Sequence, residues 1–305
     1  MRGIIPPPPT RETYHREAGM EQTWTIKRVL DWTTDDFNSR QIPSSRLEAE
    51  LLLSHMLNVP RLYLYTHFDR PLHPEELTRF RELVARRRRG ECNAHITGVK
   101  EFWSLDFEVN QSVLVPRPDT ETLVQAAIDV CDGRQRILDL CTGSGCVAVA
   151  IASECPEVSV DATDISTQAL AVARRNVTRY QMDARITLYE GDLFNALPAN
   201  HRYDVIVANP PYVVASELPN LSVEVQHEPH LALLGGGADG LDVTRRLLSG
   251  VLPFCNPGAR IFLELDDVQT VHVANVLGPQ ILGKQGSTIQ DLAGKHRVVS
   301  FHINY

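Results

Sequence analysis

Hydrophobic positions change their spacing along the chain, and the changes divide it. From Trp24 to about Gly90 the apolar residues recur at helical intervals. In "SSRLEAELLLSHML", Ser45 followed by Glu48 has the form of a capping box, and Leu47, Leu51 and Leu52 are expected on one helix face. In "HPEELTRFRELVARRRRGE", Pro74 suits a first turn, Leu77, Phe80 and Val84 fall at helical spacing, and the arginines before Gly90 suit a helix C-terminus. Residues 24–90 therefore read as a small helical bundle without a catalytic constellation, expected to hold a partner or cover a site. Across 91–118 the pattern shortens: "EFWSLDFEVN" and "SVLVPR" read as two strands of a hairpin linker. "PDTETLVQAAIDV" then reads as a helix capped by Asp119 or Thr120.

After Gly133, strand-like runs alternate with helical ones. "QRILDLC", "VSVDATD", "RITLYEGD", "YDVIVANP", "ARIFLEL" and "HRVVSFHI" read as strands, and "CVAVAIASEC" and "STQALAVARRNVTRY" as helices. Alternation of this kind predicts an α/β fold over 119–305, a doubly wound and mostly parallel sheet, preceded by the helical bundle and the hairpin.

Composition narrows the function classes. Of 305 residues, 43% are hydrophobic and 22% charged, as in an ordinary globular protein. Thirty basic against 38 acidic residues leave a net charge of −8, which argues against a dedicated duplex-DNA binder. Arg86 to Arg89 read as a solvated helix end rather than a nucleic-acid patch. The six cysteines form no CxxC pair and no HExxH is present, so no metal site is expected and free thiols in the cytoplasm are. No run approaches the length of a membrane helix. Residues 1–23, with Pro6 to Pro9 and a second candidate start at Met20, are expected to be a disordered tail.

In "ILDLCTGSGCVAVA" a strand ends at Asp139 and a turn over Cys141, Thr142, Gly143, Ser144 and Gly145 enters a helix. Glycine there lets the backbone approach a ligand at the carboxyl end of the sheet. The next strand ends at Asp164, placed to accept from ribose hydroxyls, and the third brings Asp192 and Leu193 to an adenine. A nucleoside site lacking a phosphate cradle fits S-adenosylmethionine, with a nicotinamide cofactor as the alternative.

The fourth strand ends "ANPPY". Asn209 can accept an N–H bond through its side-chain carbonyl and Pro210 another through its backbone carbonyl, both converging on a planar NH2 group. Pro210 and Pro211 stiffen the turn without adding a competing N–H, and Tyr212 offers a ring to pack on a planar group. An amide nitrogen is a poor nucleophile, and acceptors already in place stabilise its charge as a methyl group arrives, so no general base or metal is required.

These residues, with "EAELLLSHMLNVPR", "RRRRGECNAHITGVKEFWSLDFEVNQSVLVPRPDTETLV", "HEPHLALLGGGADGL" and "DLAGKHRVV", resemble the HemK-type protein-glutamine N5-methyltransferases of the release-factor type, from about Trp24 to the C-terminus. The resemblance implies a helical substrate-recognition domain, a hairpin linker and a Rossmann-like S-adenosylmethionine-dependent domain. It implies as substrate the glutamine of the GGQ loop in class I peptide chain release factors. Cys141–Gly145, Asp164, Asp192, Leu193 and Asn209 would contact the cofactor. Asn209 to Tyr212 would hold the glutamine, with Phe102 and Arg117 lining the pocket.

Cys141 departs from the glycine usual in the family, a feature shared with relatives acting on a ribosomal protein, and Asp266 and Asp267 replace a glycine-containing turn. Asp119 reads more readily as a cap than as a substrate ligand, and His227 and Glu228 fall on a loop. Two other reactions compete, glutamine methylation of a ribosomal protein and N6-adenine methylation of nucleic acid, as does a binding protein without turnover. No stable nucleic-acid or membrane partner is expected, and the expected state is a monomer.

Overall fold

The computed structural model describes residues 23–304, so the expected tail lies outside the described residues apart from Thr23. The chain divides between Arg89 and Gly90 into two compact units.

Among its described residues the first unit holds four helices: α1 (Ile26–Ser39), α2 (Ser45–Leu57), α3 (Arg61–Thr66) and α4 (Pro74–Arg88). Ile26, Leu30, Phe37, Leu52, Leu53 and Phe80 form much of its interior. Leu77, Phe80 and Val84 are buried as their spacing requires, but Leu47 and Leu51 are exposed and α2 instead buries Ala49, Leu52, Leu53 and Met56. The capping box at Ser45 does not form, because Ser44 occupies the cap in a left-handed conformation and the Ser45 hydroxyl turns back to the Ile42 carbonyl. A reciprocal contact appears at α4, where Glu76 accepts from the His73 backbone N–H at 2.8 Å. The arginine run is not a solvated end. Arg87 is buried against Glu48, and Arg88 makes two bonds to Asp36 while lying over Trp32.

The second unit opens with α5 (Asn93–Thr97) and a hairpin of β1 (Val99–Phe102) and β2 (Leu105–Glu108). The hairpin lies wholly inside the first predicted strand. Trp103 and Ser104 both adopt positive φ, the geometry that matches the twist of paired strands across a two-residue turn. "SVLVPR" is therefore not its second strand but an irregular segment that starts in a turn and leads toward α6 (Glu121–Ile128).

The main sheet has seven strands in the order β5-β4-β3-β6-β7-β9-β8. They are β3 (Arg136–Leu140), β4 (Ser159–Asp164), β5 (Ile186–Glu190), β6 (Tyr203–Ala208), β7 (Cys255–Glu264), β8 (Ser287–Gln290) and β9 (His296–Ile303). From β5 to β7 the pairing is parallel, and β9 runs antiparallel to both β7 and β8. Strand alternation sends Ile137, Val205 and Val207 into one core with α6, α7 (Cys146–Glu154) and α8 (Thr167–Arg179). Leu138, Leu140, Ile206 and Ala208 enter the other, with a helix over Asp242–Val251. Both faces are covered, as a parallel sheet demands.

Candidate active site

The chain leaves β3 through β4 and β5 and returns to β3 as β6, so the sheet reverses direction between those two strands. Ligands of open α/β sheets bind at the carboxyl side of such a point. Register pairs Leu140 with Ala208, which makes Cys141 and Asn209 the adjacent residues leaving it. A cavity of about 430 Å³ opens there, lined by residues of the second unit alone.

The turn after β3 is built for close approach. Cys141, Gly143 and Gly145 all adopt positive φ. A Cβ on Gly143 would meet nothing within 4 Å, so it faces open space; one on Gly145 would lie 3.2 Å from the Ala173 Cβ, so that glycine admits α8. Thr142 donates to Asp139 at 2.6 Å and its N–H reaches the Thr163 carbonyl at 3.0 Å. Asp139 is buried, and burial raises its carboxyl to about 7. Burial also raises the Cys141 thiol, keeping it protonated.

Asp164, at the end of β4, accepts the Gly143 and Ser166 backbone N–H groups, each at 2.9 Å. One bond to each oxygen leaves lone pairs for a diol. Desolvation is the larger influence on this carboxyl and raises it, against those N–H donors. Asp192 and Leu193 line the same cavity, Asp192 paired with Arg246 and Leu193 at φ +51°. Thr163 Oγ1, on the cavity wall, is buried without a partner among the described residues. Glycine clearance, a strand-end carboxylate with open lone pairs and an unpaired wall hydroxyl fit a nucleoside cofactor.

The segment after β6 is clamped from behind. The Val213 N–H donates to the Leu233 carbonyl at 2.7 Å and the Gly235 N–H to the Val213 carbonyl at 3.1 Å. Gln269 donates to the Tyr212 and Asp239 carbonyls at 2.9 and 2.8 Å. A Cβ on Gly235 would lie 1.8 Å from the Gly240 carbonyl oxygen, which is why the glycine-rich loop can lie so close behind the prolines. Asp266 caps the helix Asp267–His272 that carries Gln269, and Asp267 accepts the His296 N–H at 2.7 Å. The acidic pair, noted in the sequence as a departure from a glycine-containing turn, thus begins a helix.

Cys141, Thr142, Gly143, Ser144, Asp164, Asp192, Leu193, Asn209, Pro211 and Arg117 line the cavity. Gly145, Pro210 and Tyr212 do not line it; Pro210 is buried behind, and burial raises the Tyr212 phenol. Phe102 lies in the hairpin core, edge-on to Phe107 and away from the cavity lining. Arg117 pairs with the buried Glu228, whose other oxygen takes the Val115 N–H at 3.1 Å, fixing the 111–117 segment along the cavity. Burial raises Glu228 despite the guanidinium. His227 is exposed and turned to the Val223 carbonyl. Asp119 pairs with Arg297 at 3.0 Å and caps nothing, since Pro118–Thr120 form a short 3₁₀ turn before α6.

Sequence reasoning missed Thr120, Glu264 and Gln269, which support Asn209 to Tyr212 from neighbouring elements. It also missed Asn176, which joins the hairpin to the glycine turn through Glu108 and the Ser144 carbonyl. Among the described residues no side-chain cluster could hold a metal ion, and no helix is long and apolar enough to cross a membrane.

Comparison with known proteins identifies the family and the fold. Residues 28–98 match the family described as PrmC N-terminal domain, and residues 119–237 match the Methyltransferase small domain. The chain is 41% identical over 292 residues to the release factor glutamine methyltransferase of Rhodopirellula baltica, covering 93% of this chain and 98% of that one. Against the release factor glutamine methyltransferase of Geobacter sulfurreducens it is 42% identical over 286 residues, covering 92% and 98%. A solved methyltransferase from Pyrococcus furiosus shares the fold with a TM-score of 0.52 at 22% identity, over 68% of this chain and 92% of that one.

Proposed function

The chain belongs to the release factor glutamine methyltransferases, and from that premise we propose that it methylates the side-chain nitrogen of the GGQ-loop glutamine in class I peptide chain release factors, using S-adenosylmethionine. One observation supports this above the others. Asn209 and the Cys141–Gly145 turn leave adjacent strands at the point where the sheet reverses, so an acceptor for a planar amide adjoins a nucleoside-type site.

S-adenosylmethionine supplies an electrophilic methyl group on a sulfonium. Asp164 would accept from its ribose, Asp192 and Leu193 would receive its adenine, and the glycine turn would give the remainder backbone clearance. Asn209 Oδ1, on the cavity wall, accepts a glutamine N–H bond and turns the nitrogen lone pair toward the methyl group. Bound there, S-adenosylmethionine would give its methyl group to the glutamine nitrogen and keep the C–S electron pair on sulfur, and the nitrogen would then release one proton. A preorganised carbonyl acts on the charge developing at nitrogen, so no strong base is needed. Tyr212 packs behind the amide and Arg117 lines the entrance. Residues 24–90 serve as the substrate-recognition domain, 91–118 as linker and 119–305 as the catalytic domain.

The test is transfer of labelled methyl from S-adenosylmethionine to a release factor and to the same factor with its GGQ glutamine changed to alanine. Label is expected only in the unaltered factor, and Asn209→Ala should lower kcat by about 100-fold. Label found instead in a ribosomal protein or a nucleic acid would overturn the substrate assignment.

A further inference from the structure

Glu264 is the last residue of β7, and the parallel pairing of Ala208 with Leu263 brings it beside Asn209 at the strand ends. Its side chain belongs to a residue only 2% exposed, where a carboxylate is costly unless ion-paired and fully hydrogen-bonded. The cation nearby, Arg297, is engaged with Asp119 at 3.0 Å and Asp291 at 3.3 Å. Besides burial, the Thr120 hydroxyl, Arg297, Asp119 and the Asn209 amide all act on the Glu264 carboxyl, and of these only Thr120 and Asn209 line the cavity. Its Oε2 has no hydrogen-bond partner among the described residues. Asn209 Nδ2 also donates to Thr120 Oγ1, at 3.3 Å. Thr120 and Asn209 line the cavity whereas Glu264 stands behind them, so its effect on a ligand passes through those two side chains.

The inventory of donors gives this cluster one polarity. Above a pH of about 7, where the Glu264 carboxyl is ionised, it only accepts, whereas a hydroxyl has one hydrogen to give and an amide NH2 has two. Thr120 takes a hydrogen from Asn209 and has its own free for Glu264. The remaining Asn209 hydrogen can also serve Glu264, and Oδ1 is left for the cavity. Rotating the Asn209 amide by half a turn would set Oδ1 against the carboxylate and point the NH2 group at the substrate's own N–H donors.

We propose that Glu264 is a positioning residue that fixes the Asn209 side-chain amide with Oδ1 toward the cavity as acceptor for the substrate nitrogen. The proposal rests on the reading of Asn209 as the group that receives the glutamine amide. It gives the incompletely satisfied carboxyl a function, since a buried group of that kind weakens the fold and is retained where a site requires it. Thr120 is the second member of the same device.

Two readouts test it. In protein labelled with ¹⁵N-asparagine, the Asn209 side-chain resonances are assigned by their loss in Asn209→Ala. Glu264→Met keeps the volume and removes the acceptor, and should shift both Nδ2–H signals and speed their exchange with water about tenfold. Unchanged signals overturn the proposal, whatever the substrate proves to be. In methyl transfer to the release factor, Glu264→Gln, Glu264→Met and Thr120→Val should lower kcat roughly 10- to 100-fold, as expected for a misdirected acceptor. The Kd for S-adenosylmethionine should stay within about threefold, and Thr120→Ser should restore most of the kcat lost in Thr120→Val. A kcat within twofold of the parent in Glu264→Met overturns the proposal. So does a parallel loss of cofactor affinity and melting temperature, which would mark a purely structural role. Failure of the parent enzyme to label the release factor, with the amide signals responding as expected, rejects the substrate reading and leaves the positioning role standing.

Discussion

At the scale of single residues, the cavity is edged by side chains held where they are expensive. Cys141 sits at φ +60°, a left-handed conformation that suits glycine, which explains in physical terms the family glycine it replaces. Cys141→Gly should raise unfolding stability by roughly 0.5–1 kcal/mol, relief of the left-handed conformation exceeding the added freedom of the unfolded chain. A urea titration checks this, and a loss of stability would mean that thiol packing dominates. Glu264 is a second case. Burial raises its carboxyl to about 7 from an ordinary 4.5, with Arg297, Asp119, Thr120 and Asn209 acting on it too. Between those values the folded state keeps a proton that the unfolded chain has released, so stability falls as pH rises through this window. Glu264→Gln removes the titration. Its melting temperature should match the parent's near pH 5 and exceed it by roughly 2–5 °C at pH 8. The opposite ordering would show that the carboxylate is stabilised by its neighbours. The strand-end positions of Asp164 and Asn209 were legible in the sequence because each follows a hydrophobic run. Thr120 and Glu264 were not, since nothing local marks a threonine or a strand glutamate as the neighbour of a residue far along the chain.

Among elements, the alternating runs after Gly133 were legible because a strand covered on both faces is apolar almost throughout, as in "RILDL" and "DVIVA". The failures have local causes. "EFWSLDFEVN" reads as one strand by composition, yet Trp103 and Ser104 turn it without a glycine or proline to announce the reversal. "SVLVPR" has strand composition, but its backbone binds Glu228, far along the chain. Residues Leu47 and Leu51 fit a helical face that Ala49 and Leu53 displaced. The glycine-rich loop behind the prolines is an element whose spacing can be tested. A methyl group on Gly235 would overlap the Gly240 carbonyl and lie 2.7 Å from the Pro211 carbonyl, both backbone atoms that cannot yield without moving the Asn209–Tyr212 segment. Gly235→Ala should therefore destabilise the protein by about 3 kcal/mol, near the upper end for overpacking. It should also depress kcat more than cofactor affinity, because the displaced segment is the one proposed to receive the substrate. Denaturation and single-turnover assays check the two parts, and a parental denaturation curve would refute the close-packing argument.

Over the whole molecule, the division of labour follows from which residues reach the cavity. Every side chain lining it comes from the unit beginning at Gly90, and the helical unit is the part proposed to hold the protein substrate. If it contributes to turnover, it does so by holding the protein substrate, and binding of that kind is felt equally in the ground and transition states. Its surface offers apolar anchors for the purpose: Leu62 is 71% exposed on α3, and Leu47 and Leu51 are exposed on α2. Leu62 is the most exposed of the three, so its substitution disturbs the unit's interior least. Leu62→Asp, combined with Leu51→Asp where the single change is small, should leave the melting temperature and the S-adenosylmethionine Kd at their parental values. The KM for a release factor should rise by about tenfold, as for loss of an interface anchor, with kcat unchanged. A short peptide carrying only the GGQ loop cannot span to such anchors, so its turnover should be the same in parent and variant. A kcat loss with unaltered KM would assign the helical unit a part in closing the site, and equal kinetics throughout would free it from substrate binding at these positions.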